Sequence, residues 1–179
     1  ENQYLMDEPR MFNGTIERFD WKLVGKKELI VGYNAFGMYD PSVKFNDVAK
    51  DDGIVSANRR YEQHRVWVVE ATVKSGVRHV APKRTFYIDE DSWSIVVAED
   101  YDAQGKLWKL REGFVIPVYE TGSCDNPAFV QYNLVDNRYL VDQSSLGGGK
   151  DMRWFVEAND PKLKEGYYTA DNLRAISER

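Results

Sequence analysis

The chain has 179 residues, 42% of them hydrophobic and 30% charged, which is the composition of a folded domain and not of a disordered tail. With 24 Lys+Arg against 29 Asp+Glu the net charge is -5, which disfavours a nucleic-acid partner and broad adsorption to anionic lipid. No run approaches the roughly 18 apolar residues of a membrane helix, so the chain is not expected to span a bilayer, and one domain is the natural count.

The chain opens on Glu1-Asn2-Gln3, with neither an initiator Met nor an export signal, and so reads as a piece of something longer. Residues 1–60 are irregular, interrupted by Pro9, Asn13-Gly14, Gly25, Gly32, Gly37, Pro41 and Gly53, and only 28–33 read as a strand. This is expected to be an arm laid over another surface, anchored by Phe12, Phe19, Trp21, Tyr33, Phe36 and Tyr39. Residues 61–143 are different. Runs rich in Val, Ile, Trp, Tyr and Phe at 64–74, 84–89, 93–101, 106–119, 129–135 and 138–142 are joined by turn-forming residues such as Ser75-Gly76 and Asp102-Ala103-Gln104-Gly105. That pattern predicts an antiparallel meander, with no crossover helices for a parallel sheet. In the tail, 144–179, Thr169 or Asp171 is a candidate N-cap for a short terminal helix.

Alternation along the predicted strands carries most of the functional information. Trp67, Val69, Ala71 and Val73 share one parity, as do Phe86 and Ile88; Trp108, Leu110, Phe114, Ile116 and Val118 share another, opposite Lys109 and Arg111. A sheet with one strongly apolar face must cover it with a helix, a second sheet or a bound apolar molecule.

Motifs for chemistry are weaker. Cys124 cannot form an internal disulfide, and in a loop it would need a base such as His64 or His79 to act as a nucleophile. Those two histidines lack Cys or His neighbours at ligand spacing, so no metal site is expected. Asp100-Tyr101-Asp102-Ala103-Gln104-Gly105 opens like a calcium loop, but Arg111 stands where its bidentate Glu should be, which favours a hairpin turn. Asp89-Glu90-Asp91 reads as a solvated turn whose carboxylates point apart. Gly147-Gly148-Gly149-Lys150 lacks the hydroxyl of a phosphate loop, and Asn13-Gly14-Thr15 matches a glycosylation sequon that otherwise is a turn. Neither a catalytic constellation nor a cofactor motif stands out.

Several stretches resemble a bacterial family, domain of unknown function 1329. They include Met11-Phe12-Asn13-Gly14, Asp20-Trp21-Lys22-Leu23-Val24-Gly25-Lys26-Lys27-Glu28, Arg60-Tyr61-Glu62, His64-Arg65-Val66-Trp67-Val68-Val69-Glu70-Ala71-Thr72, Asp89-Glu90-Asp91-Ser92-Trp93 and Gly105-Lys106-Leu107-Trp108. The resemblance implies an exported Gram-negative protein longer than this chain, of which this would be the C-terminal part. It implies an open half-barrel of curved antiparallel sheet, similar to outer-membrane lipoprotein-sorting carriers, and no catalytic motif. Some members are encoded beside envelope exporters.

Two functions follow as expectations. The first is a non-enzymatic periplasmic carrier that binds lipid, lipoprotein acyl chains or another apolar molecule for transfer towards the outer membrane. Its candidate wall, chosen by parity, is Trp67, Val69, Phe86, Trp108, Leu110, Phe114 and Ile116. The second is an interaction module that docks on an envelope exporter or signalling partner without a small ligand.

Overall fold

The structure, a computed structural model, describes residues 3–51, 53–142, 145, 152–154, 156–157 and 159–178. Its main element is an eight-stranded sheet in the order β1 (Phe19–Tyr33), β4 (Tyr61–Val73), β5 (Lys83–Asp89), β6 (Ile95–Tyr101), β7 (Leu107–Val118), β9 (Phe129–Asn133) and β10 (Arg138–Asp142), with β8 (Ser123–Asp125) paired to β7. Between β1 and β4 lie a one-turn helix α1 (Phe45–Val48) and a small hairpin of β2 (Ala49–Lys50) and β3 (Gly53–Ile54). The chain ends in helix α2 (Ala170–Ser177), capped by Thr169, whose hydroxyl accepts from the Asn172 backbone N–H at 3.2 Å. No helix among the described residues is long and apolar enough to cross a membrane.

The meander forms as the alternation of β-branched and aromatic residues predicts. Its neighbours are antiparallel, and each hairpin turns where small or acidic residues accept turn geometry. The expected irregular arm is corrected at β1, a 15-residue strand that pairs with β4 from Phe19 to Gly32. Its alternation is broken at Val24, an extra residue between the pairs Leu23↔Val69 and Gly25↔Val68, with Gly25 at φ 150°. A bulge of this kind moves the following odd-numbered positions to the other face. Phe19, Trp21 and Leu23 therefore face one way, and Leu29, Val31 and Tyr33 the other.

The sheet curls until Gly32 and Tyr33 at the end of β1 pair in parallel with Phe114 and Val115 of β7, giving a ring-like but not closed sheet. Its interior is filled by Val31, Val66, Tyr87, Val96 and Val115, one from each of five strands. A second cluster packs Ala35, Met38, Tyr39 and Ile54 onto Phe114, Ile116, Ala128 and Val130. Tyr39 locks it, donating its hydroxyl hydrogen to the Phe114 carbonyl at 2.6 Å and accepting from Ala128 N–H at 3.0 Å. Burial pushes that phenol above its ordinary range. A third cluster holds Met11, Phe19, Ala71, Phe86, Ala98 and Phe129 under the N-terminal residues.

The meeting of β1 and β7 needs glycine at position 32. A Cβ there would stand 2.7 Å from Phe114 Cδ1 and 2.8 Å from the Gly113 carbonyl oxygen. Gly32→Ala is expected to cost about 1–3 kcal/mol, measured by urea unfolding, because the two strands must separate to admit the methyl group.

Candidate functional site

Two rows of cross-strand neighbours cross one face of the sheet. One reads Leu23, Val69, Phe86, Ala98, Arg111 and Gln131; the next reads Trp21, Ala71, Arg84, Asp100, Lys109 and Asn133. The face is thus apolar towards β1 and β4 and ionic towards β7 and β9. Residues 3–14 lie across it as a strap whose own sequence matches this change. At the apolar end Met11 is buried, and the Phe12 ring meets Phe86 edge-on at 5.3 Å, Trp21 at 5.6 Å and Phe19 at 6.1 Å.

At the ionic end every charge has a partner. Lys109 Nζ donates to Glu8 Oε1 at 2.8 Å, and Arg111 Nη1 lies 3.2 Å from the same oxygen. Arg111 also grips Asp100 with both terminal nitrogens, at 2.9 and 2.8 Å. Arg84 Nε lies 3.4 Å from Asp100, and its terminal nitrogens reach Asp7 at 2.7 and 3.1 Å. His79 Nε2 lies 2.9 Å from Asp7, and Lys109 and Gln131 both donate to the Gln3 carbonyl oxygen. Glu8, Arg84, Asp100, Lys109, Arg111 and Gln131 are all buried. Burial pushes the Asp7 carboxyl upward, but hydrogen bonds from His79 and Arg84 outweigh it and hold the group well below its ordinary range. Burial also draws the Lys109 ammonium below the usual lysine value, opposed by Glu8.

The seven residues expected to form one wall do not lie together. Trp67, Val69 and Phe86 share the strap's face of the sheet, with Phe86 buried and the other two half-buried. Leu110 points to the opposite face, and Trp108 is the extra residue of a bulge between the pairs Asp100↔Lys109 and Tyr101↔Leu107. Phe114 and Ile116 are buried in the cluster under Tyr39. The alternation of β7 does separate Leu110 from Lys109 and Arg111, yet here the charged side is fully covered and the apolar side only half so. The calcium-like stretch is a hairpin turn, as expected, and Arg111 holds Asp100, the first acid of that stretch.

The acids after β5 are corrected too. Asp89 is buried and does not point into water: its Oδ1 lies 2.8 Å from His64 Nδ1, and its Oδ2 accepts from Ser92 N and Oγ at 2.8 and 2.7 Å. Glu90 pairs with Lys26 and Arg65. Tyr33 stacks on the His64 ring at 4.0 Å, and its hydroxyl lies 3.7 Å from Cys124 Sγ. Burial raises the Tyr33 phenol, with Cys124 and Asp89 adding to the effect. Cys124 is exposed and lies beside this phenol. The glycine run 147–150 lies outside the described residues.

An antiparallel sheet curled into an incomplete ring defines an open half-barrel. A domain from Vibrio parahaemolyticus described as an outer membrane lipoprotein-sorting protein has this fold, with a TM-score of 0.52 at 14% identity over 91% of this chain and 51% of that one. The chain belongs to the DUF1329 family of proteins of unknown function, whose sequence model matches residues 1–174. A family member of known structure from Desulfovibrio piger aligns with a TM-score of 0.50 at 14% identity, over 88% of this chain and 48% of that one. An uncharacterised Pseudomonas aeruginosa protein is 42% identical over 131 residues, which are 73% of this chain and 29% of that relative. The chain therefore spans about half the length of the two solved structures and less than a third of the curated relative.

Removing one member of the ionic group leaves its partners buried and uncompensated. Glu8→Gln is expected to destabilise the fold by about 3–5 kcal/mol, whereas Glu8→Leu combined with Lys109→Met recovers most of that loss in denaturant unfolding. The lowered Asp7 carboxyl stabilises the fold fully above its ordinary value of 3.8, and that contribution fades as pH falls through its lowered one. The loss of melting temperature on acidification below about pH 4 should accordingly be shallower in Asp7→Asn than in the unaltered protein.

Proposed function

We propose that the protein is a non-enzymatic carrier of the Gram-negative periplasm that binds a lipid, a lipoprotein acyl chain or another apolar molecule and passes it towards the outer membrane. The observation that carries this reading is the half-covered apolar face. The strap covers Phe86 and Ala71, but the same face continues past it through Val69, Trp67 and Leu23, and Leu23 remains 61% exposed. An acyl chain laid along these residues gains about 25 cal/mol per Å² of apolar surface removed from water, with little demand for specific polar contacts. Lys26, whose ammonium stands 4.1 Å from the centre of the Trp67 ring, borders the track with positive charge. The fold likeness to the Vibrio lipoprotein-sorting domain supports the same reading.

A second reading, a module that docks on an envelope exporter or signalling protein, is favoured by a different observation. The ring interior is packed with side chains, and β1 pairs beyond β4 only at Gly32 and Tyr33. Val24 and Ile30 on that strand are exposed, a surface suited to strand addition by a protein partner.

Native mass spectrometry of the delipidated full-length protein after incubation with phospholipid vesicles and with a free fatty acid separates the two. Under the carrier reading an apolar ligand is retained, and Leu23→Glu, at an exposed position, weakens its binding by about tenfold or more while far-UV circular dichroism stays unchanged. A protein that remains free of ligand with every lipid favours the docking module.

A further inference from the structure

The turn between β5 and β6 brings together groups from three places in the chain. His64 lies on β4, Asp89 is the last residue of β5 and Asp91 belongs to the turn itself. His64 Nδ1 stands 2.8 Å from Asp89 Oδ1 and 3.7 Å from Asp91 Oδ2, and the three atoms lie within 4.8 Å of one another.

The charge around this point is one-sided. Asp89 is fully buried, and a buried carboxylate requires a compensating charge. Among the described residues no lysine or arginine pairs with Asp89 or Asp91; Lys26 and Arg65 are engaged by Glu90, and Arg60 by Glu62. The turn uses only one oxygen of Asp89, Oδ2, which accepts both hydrogen bonds of Ser92 and leaves Oδ1 directed at the imidazole.

The surroundings of His64 also match those of a metal ligand. Its other nitrogen, Nε2, lies 3.5 Å from Glu62 Oε2, and Tyr33 fixes the ring plane by stacking. A carboxylate on the far nitrogen is what orients and strengthens an imidazole ligand. Asp91, whose side chain is 73% exposed, opens the group to solvent and so supplies a path of entry.

We propose that His64 Nδ1, Asp89 Oδ1 and Asp91 Oδ2 bind one divalent transition-metal ion of the zinc or manganese class. One imidazole and two carboxylates form a mixed nitrogen and oxygen set, which suits these ions better than calcium or magnesium. Three protein ligands leave a coordination position for water. The ion neutralises Asp89 and ties β4 to the turn after β5. This site is separate from the apolar track and does not depend on the carrier reading.

The test uses the full-length protein stripped with a chelator, titrated with zinc chloride by calorimetry and with cobalt chloride by visible absorption. The expected result is one ion per chain and a cobalt ligand-field band, with zinc affinity reduced about tenfold or more in Asp91→Asn and the band lost in His64→Gln. Asp91→Asn changes an exposed side chain and decides the matter alone if His64→Gln does not fold. The proposal is overturned if the folded, stripped protein takes up no zinc, or if Asp91→Asn binds it with unchanged affinity.

Discussion

Burying Arg84, Lys109 and Arg111 is tolerable because Asp7, Glu8 and Asp100 meet them charge for charge beneath the strap. Much else follows from that arrangement. Arg84, Asp100 and Lys109 sit in directly paired positions on three neighbouring strands, with Arg111 in the adjacent row opposite Ala98, so a one-residue slip of β5, β6 or β7 would turn them to the other face and leave Asp7 and Glu8 without partners. A purely apolar face of the same size would tolerate sliding of the strap; this one fixes where each strap residue must land. The gain lies in specificity of register more than in net stability, since desolvation of six ionic groups consumes most of their mutual attraction.

The bulge at Val24 has a comparable reach. It lets one strand serve two cores, with Phe19 under the strap and Val31 in the ring interior. Without the extra residue the odd-numbered side chains of β1 would all face one way, and either the strap or the ring would lose its packing. Gly25, at a φ of 150°, accommodates the bend that a residue with a Cβ resists.

How much of this was legible in the sequence follows from the same two features. The strands of the meander could be read because they are rich in β-branched and aromatic residues and their turns carry suitable residues, although the ladder shifts register at Tyr87/Ile88 and at Trp108. The long β1 could not, because the bulge and two glycines disrupt its period, leaving only its last residues recognisable. Lys109 and Arg111 could be placed only on the face opposite Trp108 and Leu110; nothing local reveals that Glu8, about a hundred residues earlier, arrives to cover them. The pairing of His64 with Asp89 was hidden in a similar way. The Val66↔Asp89 register of the β4–β5 hairpin brings them together, and the irregular link at 74–82 conceals that register from any reading of spacing. For the apolar wall, parity kept Trp67 and Val69 of β4 on one face but did not keep the β7 residues together, because the bulge at Trp108 and the separate burial of Phe114 and Ile116 break that strand's alternation.

The junction of β1 with β7 gives the ring an uneven mechanical character. Thirteen paired positions hold β1 to β4, whereas two hold it to β7. Local opening of a sheet begins where the fewest hydrogen bonds must break together, so the ring's compliance is concentrated at this seam. Parting β1 from β7 there would separate Val31 from Val115 in the ring interior, while the ionic clasp, anchored on β5, β6 and β7, lies on the other face and takes no part in that seam.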